Sequence, residues 1–557
     1  LALPSLQGEP PGSSPNRLGQ SLGKGNRVQI RFPDTPPASS SNERLLSPKT
    51  GPGTAEDISV DGKFTDVGRA SLDARSNRQE SNNPITVATE EERNQKIALD
   101  WKDPWAVLFI TGKQYGYMEP CGCTGLENQK GGLSRRDSLL SSIRERGWEV
   151  IPIDGGNQVR RSGRQSDIKY EWSATAMKLM QYQATTFGED DLHTEINSLL
   201  LPMIDDTAGK SGLFVSANVS IQPEYDVQFK TFKVKNRKFG ITGVLGDEAA
   251  KKVRSRENKE ISISPAVPAL KKVLEELRAE KCDYLILIAQ ATLEESRLFA
   301  KEIPDFSLVI TSGGFGEPTY RPEVVDGTNT QMIQVGAKGM YAGLFGFFDD
   351  AQQPFRYQRI ALSSQFQDSP RINELFERYQ DQLKAISYSG LGISPLSHPS
   401  SREYVGSEKC GECHTTAFDI WKKTPHAHAT DSIVQPPERP LARHFDPECL
   451  ACHVTGWNPT RFLPYRTGYD SLESTPQMVA NGCENCHGPG ANHVAAELGD
   501  TQADKELLDR LRSEMRLPLD KANDKCMECH DIDNSPDFHK DNAFDVYWEK
   551  VKHSGKD

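Results

Sequence analysis

No stretch of this 557-residue chain approaches the ~18 unbroken apolar residues that a membrane-spanning helix requires, so no helical span is expected. Basic side chains are in deficit: 66 Lys and Arg stand against 78 Asp and Glu, a net charge of −12 that argues against nucleic acid as a partner. Cysteine is nearly missing from the first 400 residues, where only Cys121, Cys123 and Cys282 occur, which excludes a disulfide-stapled scaffold there. Histidine is as scarce in that region, with His193 and His398 alone, which excludes an imidazole-rich metal centre. Both residue types return together near the carboxyl end. Eight of the eleven cysteines lie in four copies of one phrase, "CGECH", "CLACH", "CENCH" and "CMECH".

The chain is too long for one ordinary domain, since domains typically run to ~100–200 residues. Residues 1–100 contain "GEPPGSSP", "DTPPASSSNE" and "SPKTGPGTAED", rich in Pro, Gly and Ser without a sustained apolar period, and are expected to form a disordered tether. From "WAVLFITG" the texture changes. Strand candidates "AVLFIT", "EVIPID", "LFVSANV", "KFGITGVLG", "DYLILIAQA", "FSLVITSGG" and "TQMIQVG" alternate with helical patterns such as "GLSRRDSLLSSIRERG" and "PAVPALKKVLEELRAEKC". This predicts a layered α/β domain over 101–365. A helix and linker follow over 366–403, and a cysteine-rich domain over 404–557, in which "WKKTPHAHA", "SLESTPQMVANG", "DKELLDRLRSEM" and "FDVYWEKVK" read as helices.

A CxxC pair followed at once by His is the attachment signal for c-type haem: the two thiols join the porphyrin and the adjacent imidazole becomes the proximal iron ligand. Structural zinc would not require that His. With 12 histidines in 557 residues, four such coincidences have a chance of roughly two in ten million. The attachment set is therefore Cys410, Cys413 and His414; Cys449, Cys452 and His453; Cys483, Cys486 and His487; Cys526, Cys529 and His530. Four haems need sixth ligands or leave open faces, and the spare histidines of this region are His398, His426, His428, His444, His493, His539 and His553.

The stretches "YVGSEKCGECHTTAFDIWKKTPHAHA", "GCENCHGPGANH" and "CMECHDIDNSPDFHKDNAFDVYWEKVKH" resemble the tetrahaem cytochrome c family typified by the carrier that takes electrons from hydroxylamine oxidation. The resemblance implies His426, His493 and His553 as distal iron ligands, with His428 the rival for the place of His426, and His444 or His398 available for the fourth haem. It also implies a mostly α-helical domain whose core is largely haem.

The order of elements over 105–365, with "TGKQYGYMEP", "PIDGGN", "TTFGEDD", "SANV", "ILIAQA" and "VITSGGFG", resembles 5′-nucleotidases, other calcineurin-type metallophosphoesterases and thiosulfate-processing hydrolases of that fold. That family places Asp, His and Asn on these strand ends to hold two divalent metals. Here the matching positions are Lys113 and Tyr115, Asn157, Gly188-Glu189-Asp190, Gln290, and "SGGF" at 312–315. An ammonium repels a dication, so a bound divalent metal is not expected, and the domain is expected to keep the fold without the hydrolytic chemistry. Cys121 and Cys123, on the loop after the first strand, are a candidate redox or disulfide pair; Cys282 is expected in the core and His193 to be incidental.

The expected function is electron transfer by a tetrahaem cytochrome, with the α/β domain as scaffold or docking module, redox proteins as partners, and a homo-oligomer or cytochrome stack as a further expectation. A redox enzyme acting on a small nitrogen or sulfur compound at an open haem ranks second. A hydrolase rebuilt around Asp154, Asn157, Glu189, Asp190 and Asp191 ranks third. The expected compartment is periplasmic or extracellular, because haem is attached to CxxCH after export. No charged and apolar leader opens the sequence, so the signal is expected to have been removed or to lie outside a fragment.

Overall fold

The structure is a computed structural model that describes residues 93–94, 96–120, 129–204, 212–254, 260–314, 317–436, 441–532 and 534–555. The expected tether lies outside these up to residue 92. Its last residues, however, join the α/β domain: Ile97 and Ala98 are buried, Asn94 Nδ2 donates to the Ala361 carbonyl at 2.8 Å, and Arg146 donates to the Ile97 carbonyl at 2.9 Å. The apolar pair in "KIALDW" accounts for this, because its side chains find a hydrophobic face to cover.

Twelve strands build the α/β half: β1 Ala106–Thr111, β2 Val150–Asp154, β3 Val219–Ser220, β4 Phe229–Val234, β5 Arg237–Leu245, β6 Ser262–Ile263, β7 Tyr284–Gln290, β8 Phe306–Thr311, β9 Glu323–Val324, β10 Gln331–Gln334, β11 Tyr341–Phe347 and β12 Phe355–Ala361. One sheet runs β12-β11-β1-β2 and the other β4-β5-β7-β8-β10-β9, with β3 and β6 a separate pair. In the second sheet β5, β7, β8 and β10 are parallel, and helices Ala266–Ala279 and Leu293–Glu302 make the crossovers.

Strand period places alternate residues on opposite faces. Leu108 and Ile110 of β1 meet Ile286 and Ile288 of β7 between the sheets, while Val107 and Phe109 face the helices Leu133–Arg144, Arg164–Leu179 and Pro370–Gly390. Leu285, Leu287 and Ala289 turn to the helices on the other side. Both faces of each sheet are covered, which is why these strands read as continuous apolar runs. The result is a four-layer α-β-β-α sandwich.

Three expectations fail locally: "WKKTPHAHA" holds only the last residue of the helix Thr415–Trp421 and then a 3-10 turn, Pro425–His428, and two more segments depart as follows. "LFVSANV" is extended but contributes only Val219 to a strand, and "SLESTPQMVANG" forms no α-helix: it holds a single 3-10 turn, Pro476–Met478, because Pro476 lacks the amide donor and Ala480 has φ +72°. The C-terminal region is otherwise mostly helical, in short pieces: Ser407–Gly411, Thr415–Trp421, Pro447–His453, Cys483–His487, Ala491–Leu498, Lys505–Glu514, Leu519–Met527 and Ala543–Val551. Its largest hydrophobic cluster holds only eight buried side chains, Leu450, Val454 and Trp457 among them. Among the described residues no helix is long and apolar enough to cross a membrane.

Candidate haem centre

The four motifs start from local helical geometry. Cys449, Cys452 and His453 share the helix Pro447–His453, and Cys483, Cys486 and His487 share Cys483–His487. Cys410 lies on Ser407–Gly411 with His414 just beyond it, and Cys526 lies on Leu519–Met527 with His530 three residues past its end. An i, i+3 spacing puts both thiols on one helix face. None of the nine described cysteines is in a disulfide. Between motifs, Cys410 lies beside Cys483 and Cys452 beside Cys529, and Cys486 lies within electrostatic reach of Cys526. The neighbour order of the motifs is thus first, third, fourth, second.

The structure brings three pairs of histidines close together. Ring centres are 6.3 Å apart for His414 and His493, 6.0 Å for His426 and His530, and 5.6 Å for His487 and His553. An iron between two imidazoles sets ring centres about 6 Å apart, since each metal–nitrogen bond is about 2 Å and each ring centre lies about 1 Å behind its nitrogen. A cavity of about 300 Å³ is walled by His426 and His530 together with Cys526, Cys529 and Trp457.

Protonation suits ligation. Burial pushes the His530 imidazole down to about 4, and burial likewise holds His426, His487 and His553 below the ordinary range, so all four are neutral at pH 7 with a lone pair to offer. His487 Nδ1 donates to the Met515 carbonyl at 2.7 Å and His453 Nδ1 to the Ala429 carbonyl at 2.7 Å; His530 Nδ1 lies 3.0 Å from Ser535 Oγ. Engaging Nδ1 turns Nε2 toward the metal position. Glu484, buried inside the third motif, accepts backbone N–H groups from Val405, Gly406 and Gly490 and so ties that helix to the first motif's lead-in.

The remaining candidates sit elsewhere. His428 is exposed beside Asp431, 3.5 Å away. His444 packs on Phe445, and His398 is hydrogen-bonded to Ser400 and stacked edge-on against Tyr404 and Tyr465, in the wall of the His426 and His530 cavity. His453 stands outside the three pairs, on the helix whose first turn meets the α/β half. Its neighbours Ala429 and Ser432, like Ser535 and Met515 beside the other motifs, carried no sequence signal, because a carbonyl or a serine is recognisable as an imidazole anchor only once the chain is folded. Cys121 and Cys123 lie outside the described residues.

On the α/β half the strand ends hold a closed polar network. Lys113, after β1, is 3 % exposed and donates to the carbonyls of Ser312 at 3.0 Å and Gly314 at 3.3 Å; burial lowers its ammonium to about 8. Asn157, after β2, donates to Gln290 Oε1 at 3.2 Å, and Gln290 reaches Ser312 Oγ at 2.9 Å. Asp191 accepts backbone N–H groups of Asn157, Gly188 and Val159, yet burial still raises it to about 7. Cys282 is half-buried against the core and His193 sits on a short 3-10 turn.

Fold and site together define a multidomain chain, a metallophosphoesterase-like α/β sandwich joined to a c-type haem region. Residues 409–488 match the family Cytochrome c554 and c-prime. Cytochrome c-554 of Nitrosomonas europaea is 32% identical over 99 residues, 16% of this chain and 40% of that protein. Snake venom 5′-nucleotidase of Naja atra is 23% identical over 299 residues, 48% of this chain and 55% of that protein. The chain therefore spans from two fifths to just over half of these relatives. Among solved structures, sulfate thiohydrolase SoxB of Thermus thermophilus aligns at 12% identity over 53% of this chain and 63% of that one, with a TM-score of 0.41. A 5′-nucleotidase precursor, also of Thermus thermophilus, aligns at 16% over 50% and 59%, with a TM-score of 0.41.

Proposed function

We propose that this chain is an extracytoplasmic tetrahaem cytochrome that relays electrons, and that its α/β half is a phosphoesterase-like domain without two-metal chemistry. The observation that carries the reading is the set of three opposed imidazole pairs, each joining a CxxCH histidine to one of His426, His493 and His553. The four haems would be held by the thiols of Cys410 and Cys413, Cys449 and Cys452, Cys483 and Cys486, and Cys526 and Cys529, with His414, His453, His487 and His530 as proximal ligands. Bound there, haem iron supplies one-electron exchange between ferrous and ferric states. The protein contributes orientation and exclusion: the His487 and His453 imidazoles are fixed by Nδ1 contacts, and the motifs are packed in a first, third, fourth, second series that favours relay over isolated sites. Redox proteins are the expected partners.

The α/β half supports the second clause through Lys113. Its ammonium fills the space between β1 and the 312–314 turn, and Asn157 and Gln290 satisfy each other, so the strand ends present an internal cation in place of carboxylates and imidazoles. Intact-mass analysis of the exported full chain tests the reading. An excess equal to four covalently bound haems is expected; an unmodified mass, or zinc alone, overturns it.

A further inference from the structure

The contacts between the two halves gather on one haem-attachment helix. Asp446 caps Pro447–His453, accepting the Glu448 N–H at 3.0 Å, and is 5 % exposed. Its carboxylate also accepts from three side chains of the α/β half: Gln165 Nε2 at 2.7 Å, Gln380 Nε2 at 3.2 Å and Tyr379 Oη at 3.4 Å. In the first turn Glu448 receives Lys169 Nζ at 2.6 Å and Arg161 Nη1 at 3.1 Å. Lys169, itself buried, also donates to the Gly116 carbonyl at 3.2 Å, which ties this cluster to the loop after β1. The Arg161 guanidinium lies 3.9 Å from the centre of the Phe462 ring of the C-terminal half. Other polar bridges between the halves fall outside the motif helices: Glu119 with Arg443, and Gln129 with the Asn534 carbonyl.

We infer that Gln165 and Lys169, with Arg161, are positioning residues by which the α/β half fixes the second attachment helix and sets the electrostatic field at the haem bound through Cys449, Cys452 and His453. This rests on the tetrahaem reading and extends it by assigning the phosphoesterase-like domain to one haem of the four. Two carboxylates are held under the first turn of that helix, Glu448 by two cations of the α/β half and Asp446 by neutral donors. The helix cannot tilt without breaking several buried hydrogen bonds, each costly to leave unmade. Removing Lys169 leaves Glu448 with the half-exposed Arg161 alone, and the added negative charge favours the ferric state of the nearest iron.

The test uses the full-length protein with four haems confirmed by mass, titrated spectroelectrochemically as wild type, Lys169→Met, Lys169→Arg and Arg161→Gln. In Lys169→Met about a quarter of the haem absorbance change, one motif of four, is expected to move to lower potential while the rest stays in place. Arg161→Gln gives a smaller shift in the same fraction, because half of that side chain is exposed, and Lys169→Arg restores the wild-type curve. Should Lys169→Met not accumulate, Arg161→Gln decides alone. Unmoved curves in variants carrying four haems overturn the inference, and so does an equal shift of all four haems. Absence of covalent haem would instead overturn the tetrahaem reading.

Discussion

Between Trp105 and Phe347 the two sheets bury nineteen apolar side chains in a single inter-sheet core, backed by a further cluster on each outer face. From Tyr404 onward the largest cluster among the described residues has eight, spread over helices of four to ten residues. One half is closed by its own side chains. The other brings paired imidazoles and thiols together, with a cavity of about 300 Å³ walled by His426 and His530. The difference teaches that the first half has an apolar core large enough to close on itself, whereas the second has only a small one among the described residues and, on the proposed reading, takes the rest from haem.

The most severe way to break that contrast is to withhold the cofactor. Chain produced without haem attachment is expected to lose residues 404–555 rapidly to limited proteolysis while 105–361 persists, with fragments identified by mass; equal resistance of both halves would erase the distinction. A sharper cut removes one ligand. His493→Ala should retain four attached haems but convert the iron of the His414 pair from low to high spin, seen as the loss of one low-spin signal.

Lys113 probes the self-closed half. Its ammonium is lowered to about 8 in the folded chain against 10.5 in the unfolded one, so burial of the charged form destabilises the fold below pH 8. That penalty disappears as pH rises toward 10.5, and the α/β half should gain about 3 kcal/mol across this window. Denaturant unfolding followed by Trp fluorescence measures it, and Lys113→Met should flatten the rise. The smallest effect is expected at Asp504, which caps Lys505–Glu514 by accepting the Leu507 N–H at 2.8 Å. Asp504→Ala should cost about 1 kcal/mol, read as faster amide exchange in that helix with unaltered haem spectra.

What could be read from the sequence divides along the same line. The four CxxCH motifs were legible because their pattern is local: two thiols and an imidazole within five residues. Flanking motifs singled out His426, His493 and His553 as the proposed distal ligands, but they did not say which motif each lies beside: His426 packs near the fourth, His493 near the first and His553 near the third, and only tertiary packing makes those choices. In the α/β half, β1, β2, β5, β7, β8 and β10 announced themselves as apolar runs. β11 was missed because Gly343 and Gly346 interrupt its pattern; a Cβ on Gly346 would come within 2.6 Å of the Trp101 ring, so the glycine makes room for an aromatic that lies far upstream. β12, "FRYQRIA", is half-exposed along its first four residues and lacks the apolar density of its neighbours. Nothing in the sequence singles out Gln165 and Lys169, whose contacts with the Pro447–His453 helix exist only in the fold.

The opposed imidazoles are the claim on which the rest depends, and electron paramagnetic resonance of the oxidised full chain tests it most directly. The account predicts low-spin ferric signals of bis-imidazole type from three irons per chain, assigned to His414 with His493, His426 with His530, and His487 with His553. A spectrum with fewer than three such irons, or with none, would contradict it.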